Sequence, residues 1–447
     1  MRPMAGLLAL LVSLLSVVSH ADWRRFRGPN GSGVAGESSS IPTEWSPHQN
    51  IAWKAELPGP GVSSPIVVNQ RVFVTCYSGY GIDRENPGNL DDLRRHLLCF
   101  DLASGTLQWQ RTVEAVQPED PFSGAGVPSH GYASHTPVSD GQRVYAFFGK
   151  SGVHAFDLQG DAVWQASVGT ESDEHRWGSS SSPILFADLV IVTASAESRA
   201  LVGLDQATGR QVWKQEASGL ANVWGTPLLV QVDPQRTDLV LGVPYELWGL
   251  NPRNGKLRWF SEAMETDQYS SSIVAKDGVV FGIEGRGGGS IALRVGGTDD
   301  ISEKNRLWSG NDSSRFGTPL VYQGRVYFFS NGVANAIAAS DGRELFKGRL
   351  PAADRSDLEV APGQQSRGRR RGRSGSIDFS SPVAAHGHVY YFQEDGTGYV
   401  LRAGDTFDVV SVNRTTKAAE HFGGTPAISD GRMLVRSDKH LYCIAAE

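Results

Sequence analysis

The sequence predicts an all-β protein: an eight-bladed β-propeller of four-stranded antiparallel blades, closed by an N-terminal strand that completes the last blade. Three observations carry this. A hairpin with a Pro at its start, alternating apolar residues and a Gly turn, as in RFGTPLVYQGRVYFFSNG at 315–332, occurs eight times. Its marker residues are Pro65, Pro137, Pro183, Pro227, Ile273, Pro319, Pro382 and Pro426, spaced by 72, 46, 44, 46, 46, 63 and 44 residues, and a basic period near 45 is the size of one blade. The eighth copy ends before any fourth strand, while a spare strand, NIAWKAELPG, precedes the first hairpin.

Taken in order, the chain opens with Arg2, an apolar run from Leu7 to Val18 and the small-residue pattern Ser19-His20-Ala21. That is a secretory signal peptide, too short for a comfortable membrane span, so residues 1–21 are expected to be removed and the protein exported. No membrane span is expected after cleavage. Residues 22–49 read as an N-terminal extension and residues 50–447 as the propeller.

Each repeat continues beyond its hairpin into two more strands. LLCFDLASGTLQWQ, VHAFDLQGDAVWQ, LVGLDQATGRQVWK and LWGLNPRNGKLRWF show the pattern: Asp or Asn ends strand three, Gly turns the chain, and a Trp sits on strand four. Trp109, Trp164, Trp213 and Trp259 occupy that place, Trp308 and Phe346 follow in later copies, and the seventh copy has no aromatic residue there. The spare N-terminal strand carries Trp53, so joining it to the truncated eighth copy completes the ring and removes two exposed sheet edges.

Cysteine is scarce, at three residues. Cys76 and Cys99 lie on consecutive strands of the first repeat, where a disulfide and a pair of inert core thiols are both open readings. Cys443 shares the repeat position of Cys99, which other copies fill with Gly203 or Gly249, so this position reads as a small buried slot. Two enlargements, 78–96 and 114–131, lengthen the first blade and its exit. A third, 352–376, has a composition that cannot build a core and is expected to be disordered. It carries Arg367, Arg369, Arg370, Arg371 and Arg373; the whole chain has a formal charge of −6. The acidic body argues against nucleic acid as a partner.

The fullest turn, with Asp205, Thr208, Gly209 and Trp213, resembles the quinoprotein repeat of pyrroloquinoline-quinone (PQQ) alcohol dehydrogenases. It is similar also to the propeller lipoprotein of the bacterial barrel-assembly machinery. The resemblance spans about residues 50–447 and implies a propeller in which Trp53, Trp109, Trp164, Trp213, Trp259 and Trp308 each dock one blade on the next. It does not by itself imply the cofactor. The family's enzymes cover the quinone with a vicinal Cys–Cys disulfide, and no two cysteines are adjacent here. They also need a Ca²⁺ site beside a catalytic Asp, and no such cluster is assignable. The lipoprotein's acylated N-terminal Cys is missing as well.

Candidate site residues follow from the blade entrances. The residue before each marker is a hydroxyl: Ser64, Thr136, Ser182, Thr226, Ser272, Thr318, Ser381 and Thr425. These line the channel, either as a polar ring for a ligand or as local partners for backbone groups, the second being favoured. Just upstream stand Tyr132, Trp177, Trp224, Tyr269, Phe316, Phe379 and Phe422, with His135 beside Thr136, and these are the ligand-binding candidates at the channel mouth. His130, His135 and His175 lack diagnostic metal spacing, and no metal site or catalytic residue is assigned. The expectation is an exported, monomeric, noncatalytic binding or scaffolding propeller, without cofactor and with a protein or polysaccharide partner. A PQQ- and Ca²⁺-dependent dehydrogenase is the alternative, and a polysaccharide-acting protein the second.

Overall fold

Short inner strands apolar along their whole length, such as Leu189–Ala194 and Val279–Ile283, leave both faces of each sheet in need of a neighbour. In the computed structural model that need is met radially, by eight sheets around one axis. The structure describes residues 22–36, 40–285, 287–353 and 379–446. The segment 1–21, expected to be a signal peptide, and the arginine-rich insertion fall outside the described residues, apart from Ala352 and Ala353.

Blades one to seven span 66–114, 138–166, 184–216, 228–262, 274–310, 320–349 and 383–414. Blade eight takes three strands from 427–445 and its outer strand, Ile51–Glu56, from the other end of the chain. That strand runs antiparallel to His440–Ala445, with Trp53 opposite Cys443 and Glu56 opposite His440. The closure predicted by the sequence is therefore present. Blade four adds a fifth strand, Asp299–Asp300, parallel to its outer edge at Trp259 and Phe260.

Opposite each strand-four Trp stands a small residue: Cys99, Ala155, Gly203, Gly249, Ala292 and Cys443 face Trp109, Trp164, Trp213, Trp259, Trp308 and Trp53. A Cβ on Gly203 would lie 2.4 Å from the Trp213 ring, so in that blade not even a methyl group fits unless the ring moves. The indole N–H groups of Trp53, Trp109, Trp164 and Trp308 reach into the following blade, donating to the carbonyls of Leu102, Leu158, Gln206 and Ala339 at 2.9–3.1 Å. The turn glycine of that blade lies flat against the ring. Gly209, at φ +71°, would put a Cβ 2.5 Å from Trp164. Trp259 donates instead to the buried carboxylate of Asp238 within its own blade, and among the described residues the Trp213 N–H has no partner.

The missing aromatic residue of blade seven has a structural reason. Its place in the ladder is Ser411, and blade eight has no turn between its third and fourth strands to receive a ring, its fourth strand being Ile51–Glu56. Ile41 and Trp45 of the N-terminal extension join the core of blades seven and eight at that junction. Trp45 stacks on Phe392 at 5.6 Å and donates to Thr415 Oγ1.

All three cysteines are free and buried. Cys99 pairs with Phe73 and Cys76 with His96, three positions along the same ladder, so the two thiols point to opposite faces of blade one. Accordingly they belong to different cores, and the disulfide reading is replaced by the core-thiol reading.

The N-terminal segment 22–36 crosses the end of the channel at which the first strands finish. Trp23 pairs with Val67 of blade one, Arg24 O accepts from Ser139 of blade two, and Val34 and Ala35 pair with Ala384 of blade seven. Arg27 is the anchor. Its buried guanidinium donates to the carbonyls of Gly31, Ser32, Thr318, Pro319 and Pro382 at 2.8–3.4 Å. Desolvation lowers its pKa to about 9, so it remains a cation in the channel floor near neutral pH. Among the described residues, no helix is long and apolar enough to cross a membrane.

Candidate functional site

With one end of the channel taken by Arg27 and its segment, the opposite end is the available mouth. It is built from the lead-in to each first strand and from the turns between second and third strands. Below it lies the hydroxyl ring. The N–H of Ser64 donates to Thr136 Oγ1, that of Thr136 to Ser182 Oγ, and so on through Thr226, Ser272, Thr318, Ser381 and Thr425. Thr425 donates back to Ser64, and all eight bonds measure 2.9–3.1 Å. The hydroxyls thus satisfy backbone groups, as favoured from the sequence. Their partners, however, lie in the preceding blade rather than in their own loop.

Of the eight mouth candidates, four are placed differently from the expectation. Tyr132, His135, Tyr269 and Phe422 are buried. Tyr132 packs edge-on against Tyr77 and donates to Asp120 O, because the two enlargements of blade one fold over it. Tyr269 fills space left by Gly242 and Gly282, and Phe422 lies over Gly396 and stacks on Tyr442. The other four are half-buried and form two pairs. Trp177 meets Trp224 at 5.7 Å between the entrances of blades three and four, and the Trp224 N–H donates to Gly178 O at 2.8 Å. Phe316 meets Phe379 at 4.9 Å at blades six and seven, with the Arg315 guanidinium over Phe316. Tyr245, 56% exposed on a mouth-side turn of blade four, adds an apolar face that sequence reasoning did not pick out.

Beneath Trp177 lies a buried polar cluster that no spacing or repeat in the sequence marks. Arg95 pairs with Glu119, and Lys150 Nζ lies 3.3 Å from Asp120 Oδ1, all four side chains being nearly inaccessible. Each buried charge here meets an opposite one, which offsets its desolvation. Next to them Ser179 Oγ bridges Glu197 Oε1 at 2.5 Å and His135 Nε2 at 3.0 Å. Glu197 is 2% exposed, and burial pushes its carboxyl up to about 7. Among the described residues, its Oε2 and the Nδ1 of His135 have no hydrogen-bond partner. Both residues line a small cavity of about 30 Å³ bounded above by Trp177.

The histidines do not converge as metal ligands. His130 bonds Ser134 Oγ and the Trp177 carbonyl, while His175 lies against Trp177 at 4.8 Å. Burial lowers the pKa of both His130 and His135, the latter to about 3, so neither is a cation at neutral pH. Among the described residues, no group of three His, Cys, Asp or Glu is arranged to hold a metal.

Comparison with known proteins points to one family. The sequence profile described as "Outer membrane protein assembly factor BamB" matches residues 46–182 and 94–357. Among solved structures, BamB from Moraxella catarrhalis superposes with a TM-score of 0.57 at 14% identity, over 89% of this chain and 98% of that one. A europium-containing methanol dehydrogenase gives 0.59 at 11% identity, over 95% and 98%. A quinohemoprotein alcohol dehydrogenase from Comamonas testosteroni gives 0.58 at 12%, over 96% and 81%. These likenesses establish a shared fold. No curated protein matches the chain.

Proposed function

We propose, from the premise that this chain belongs to the PQQ-like repeat family described as outer membrane protein assembly factor BamB, that it is an exported, monomeric scaffold whose mouth face docks a protein partner. The single observation that carries this is the asymmetry of the two ends. The Arg27 segment occupies one, while the other presents the Trp177–Trp224 pair and the exposed Tyr245. Flat aromatic rings with polar tips suit a protein or carbohydrate surface, and the number of apolar faces favours protein.

The quinone-dependent alternative finds poor support in the donor set. The three cysteines lie in blade cores, so no thiol pair stands at the mouth. Glu119 and Asp120 are already matched to cations, and Glu197 lies in surroundings that disfavour its charge, so they do not make a Ca²⁺ site.

Calorimetric titration with PQQ in Ca²⁺ tests the choice: no saturable uptake is expected, and saturable uptake would replace this reading with the dehydrogenase. A photo-crosslinker at Tyr245 is expected to yield one discrete protein adduct in cell-envelope extract, while the same group at Gln142, on the opposite face, yields none. Adducts at both positions or at neither would remove the mouth face as the docking surface.

A further inference from the structure

The segment that crosses the channel floor carries Arg24, Arg25 and Arg27, and each is used differently. Arg24 turns outward and pairs with Asp22. Arg27 donates from all three of its nitrogens to backbone carbonyls of the segment and of blades six and seven. Arg25 has far less. Its Nη2 donates to the carbonyl of Pro227, at the start of blade four, at 3.3 Å, and this is its one hydrogen bond among the described residues. Its Nε is closed to solvent and has no partner there. A guanidinium has five N–H donors, so most of those on Arg25 go unclaimed by the protein.

The place of this group is set from two sides. The turn Pro29–Gly31 passes beside it: a Cβ on Gly31 would lie 3.6 Å from Nη2 and 3.4 Å from Leu228 Cδ1. Pro227 follows Thr226 of the hydroxyl ring, so the guanidinium reaches the axis one residue below that ring. Each ring hydroxyl accepts an N–H from the preceding blade, and among the described residues none gives its own proton to a protein acceptor. A hydroxyl proton rotates to suit its surroundings, so the ring offers further donors.

We propose that the channel binds a small oxyanion of the phosphate or sulfate type, held by the unclaimed N–H groups of Arg25 and by hydroxyl donors of the ring, Thr226 first among them. An unpaired cation out of water is costly, and a counter-anion offsets that cost. Burial lowers the pKa of Arg25 only to about 10, with no carboxylate acting on it, so it stays a cation near neutral pH. The flat guanidinium fork matches two oxygens of one oxyanion, which favours that class over a spherical halide. Arg27 adds attraction without competing for the ligand, because its donors are already taken. The site lies at the axis and does not depend on partner docking at the mouth face.

Calorimetric titration of the protein with sodium phosphate, and separately with sodium sulfate, tests this at an ionic strength held constant with sodium chloride. One saturable site is expected, with sulfate blocking phosphate. Arg25→Gln should weaken uptake by about tenfold or more, through loss of charge-assisted hydrogen bonds. Arg24→Gln removes the same charge from the adjacent, exposed residue and should leave the affinity within about twofold, because screening weakens exposed charges. No saturable uptake of either anion, or unchanged affinity in Arg25→Gln, overturns the proposal. Equal weakening in both variants overturns it as well, since that would be diffuse attraction to a basic segment. Should Arg25→Gln not fold, Arg25→Lys keeps the charge but loses the fork, and about a tenfold loss is again expected. Affinity equal to that of the unaltered protein in Arg25→Lys would then count against the site.

Discussion

The backbone N–H of Thr425 donates to the hydroxyl of Ser64 at 3.1 Å, across 361 residues of sequence. Seven bonds of the same kind link each blade to the next, and this eighth joins the last blade to the first. Closure is therefore made twice, at the axis by a hydroxyl and at the rim by the strand Ile51–Glu56.

Ser64→Ala leaves the buried Thr425 N–H without its acceptor, and the expected loss is about 1–3 kcal/mol in urea unfolding. Ser64→Thr should retain most of the stability, since the ring already alternates Ser and Thr. An alanine variant as stable as the parent would mean that the axial ring does not contribute to closure.

At the rim, Trp53 docks blade eight on blade one through Leu102 O and Gly105. Trp53→Ala is expected to cost about 3 kcal/mol. Removing residues 22–56 should cost more, because it also exposes the edge of His440–Ala445. Thermal unfolding checks both, and a truncated protein melting with the intact one would refute closure by the N-terminal strand.

Arg27→Met keeps much of the side-chain volume but leaves the carbonyls of Thr318, Pro319 and Pro382 without their charged donor. The expected destabilisation is about 3 kcal/mol. Trypsin should then cut after Arg24 or Arg25 at low protease, with the blades still intact. Protection equal to that of the unaltered protein would show that the segment is held by its other contacts alone.

Burial pushes the thiols of Cys76, Cys99 and Cys443 up to about 12. None is a thiolate at pH 8, so native alkylation is expected to label none of them and unfolding without reductant to expose all three. A non-reduced mass two hydrogens lower would restore the Cys76–Cys99 disulfide.

Much of the fold was legible because a blade is a local object. Its turn Gly, its strand-ending Asp and its Trp lie within ten residues, and repetition at a near-constant period multiplies a weak signal eightfold. The small slot at Cys99 and Cys443 was legible for the same reason, since Gly203 and Gly249 mark the same position.

The site was less legible because exposure is not a repeat property. Tyr132, Tyr269 and Phe422 lie in the same lead-in to a first strand as Trp177 and Trp224, three to six residues before the marker, yet the loops and glycines around each decide which rings reach water. Glu197 lies in a connecting turn of variable length, where no period marks it, and nothing in the sequence places it beside Ser179 and His135.

By itself, then, the sequence determined the number of blades, their four-strand plan and the joining of the two ends, because these follow from hydrophobic alternation, turn chemistry and spacing along the chain. Only the tertiary structure decided where the hydroxyls find their partners, that Arg27 plugs one end, that Trp45 packs at the junction of blades seven and eight, and that the buried carboxyl of Glu197 lies under Trp177. Each of these depends on which distant groups share a space closed to water. There the cost of an unpaired polar group, rather than any local preference, selects the arrangement.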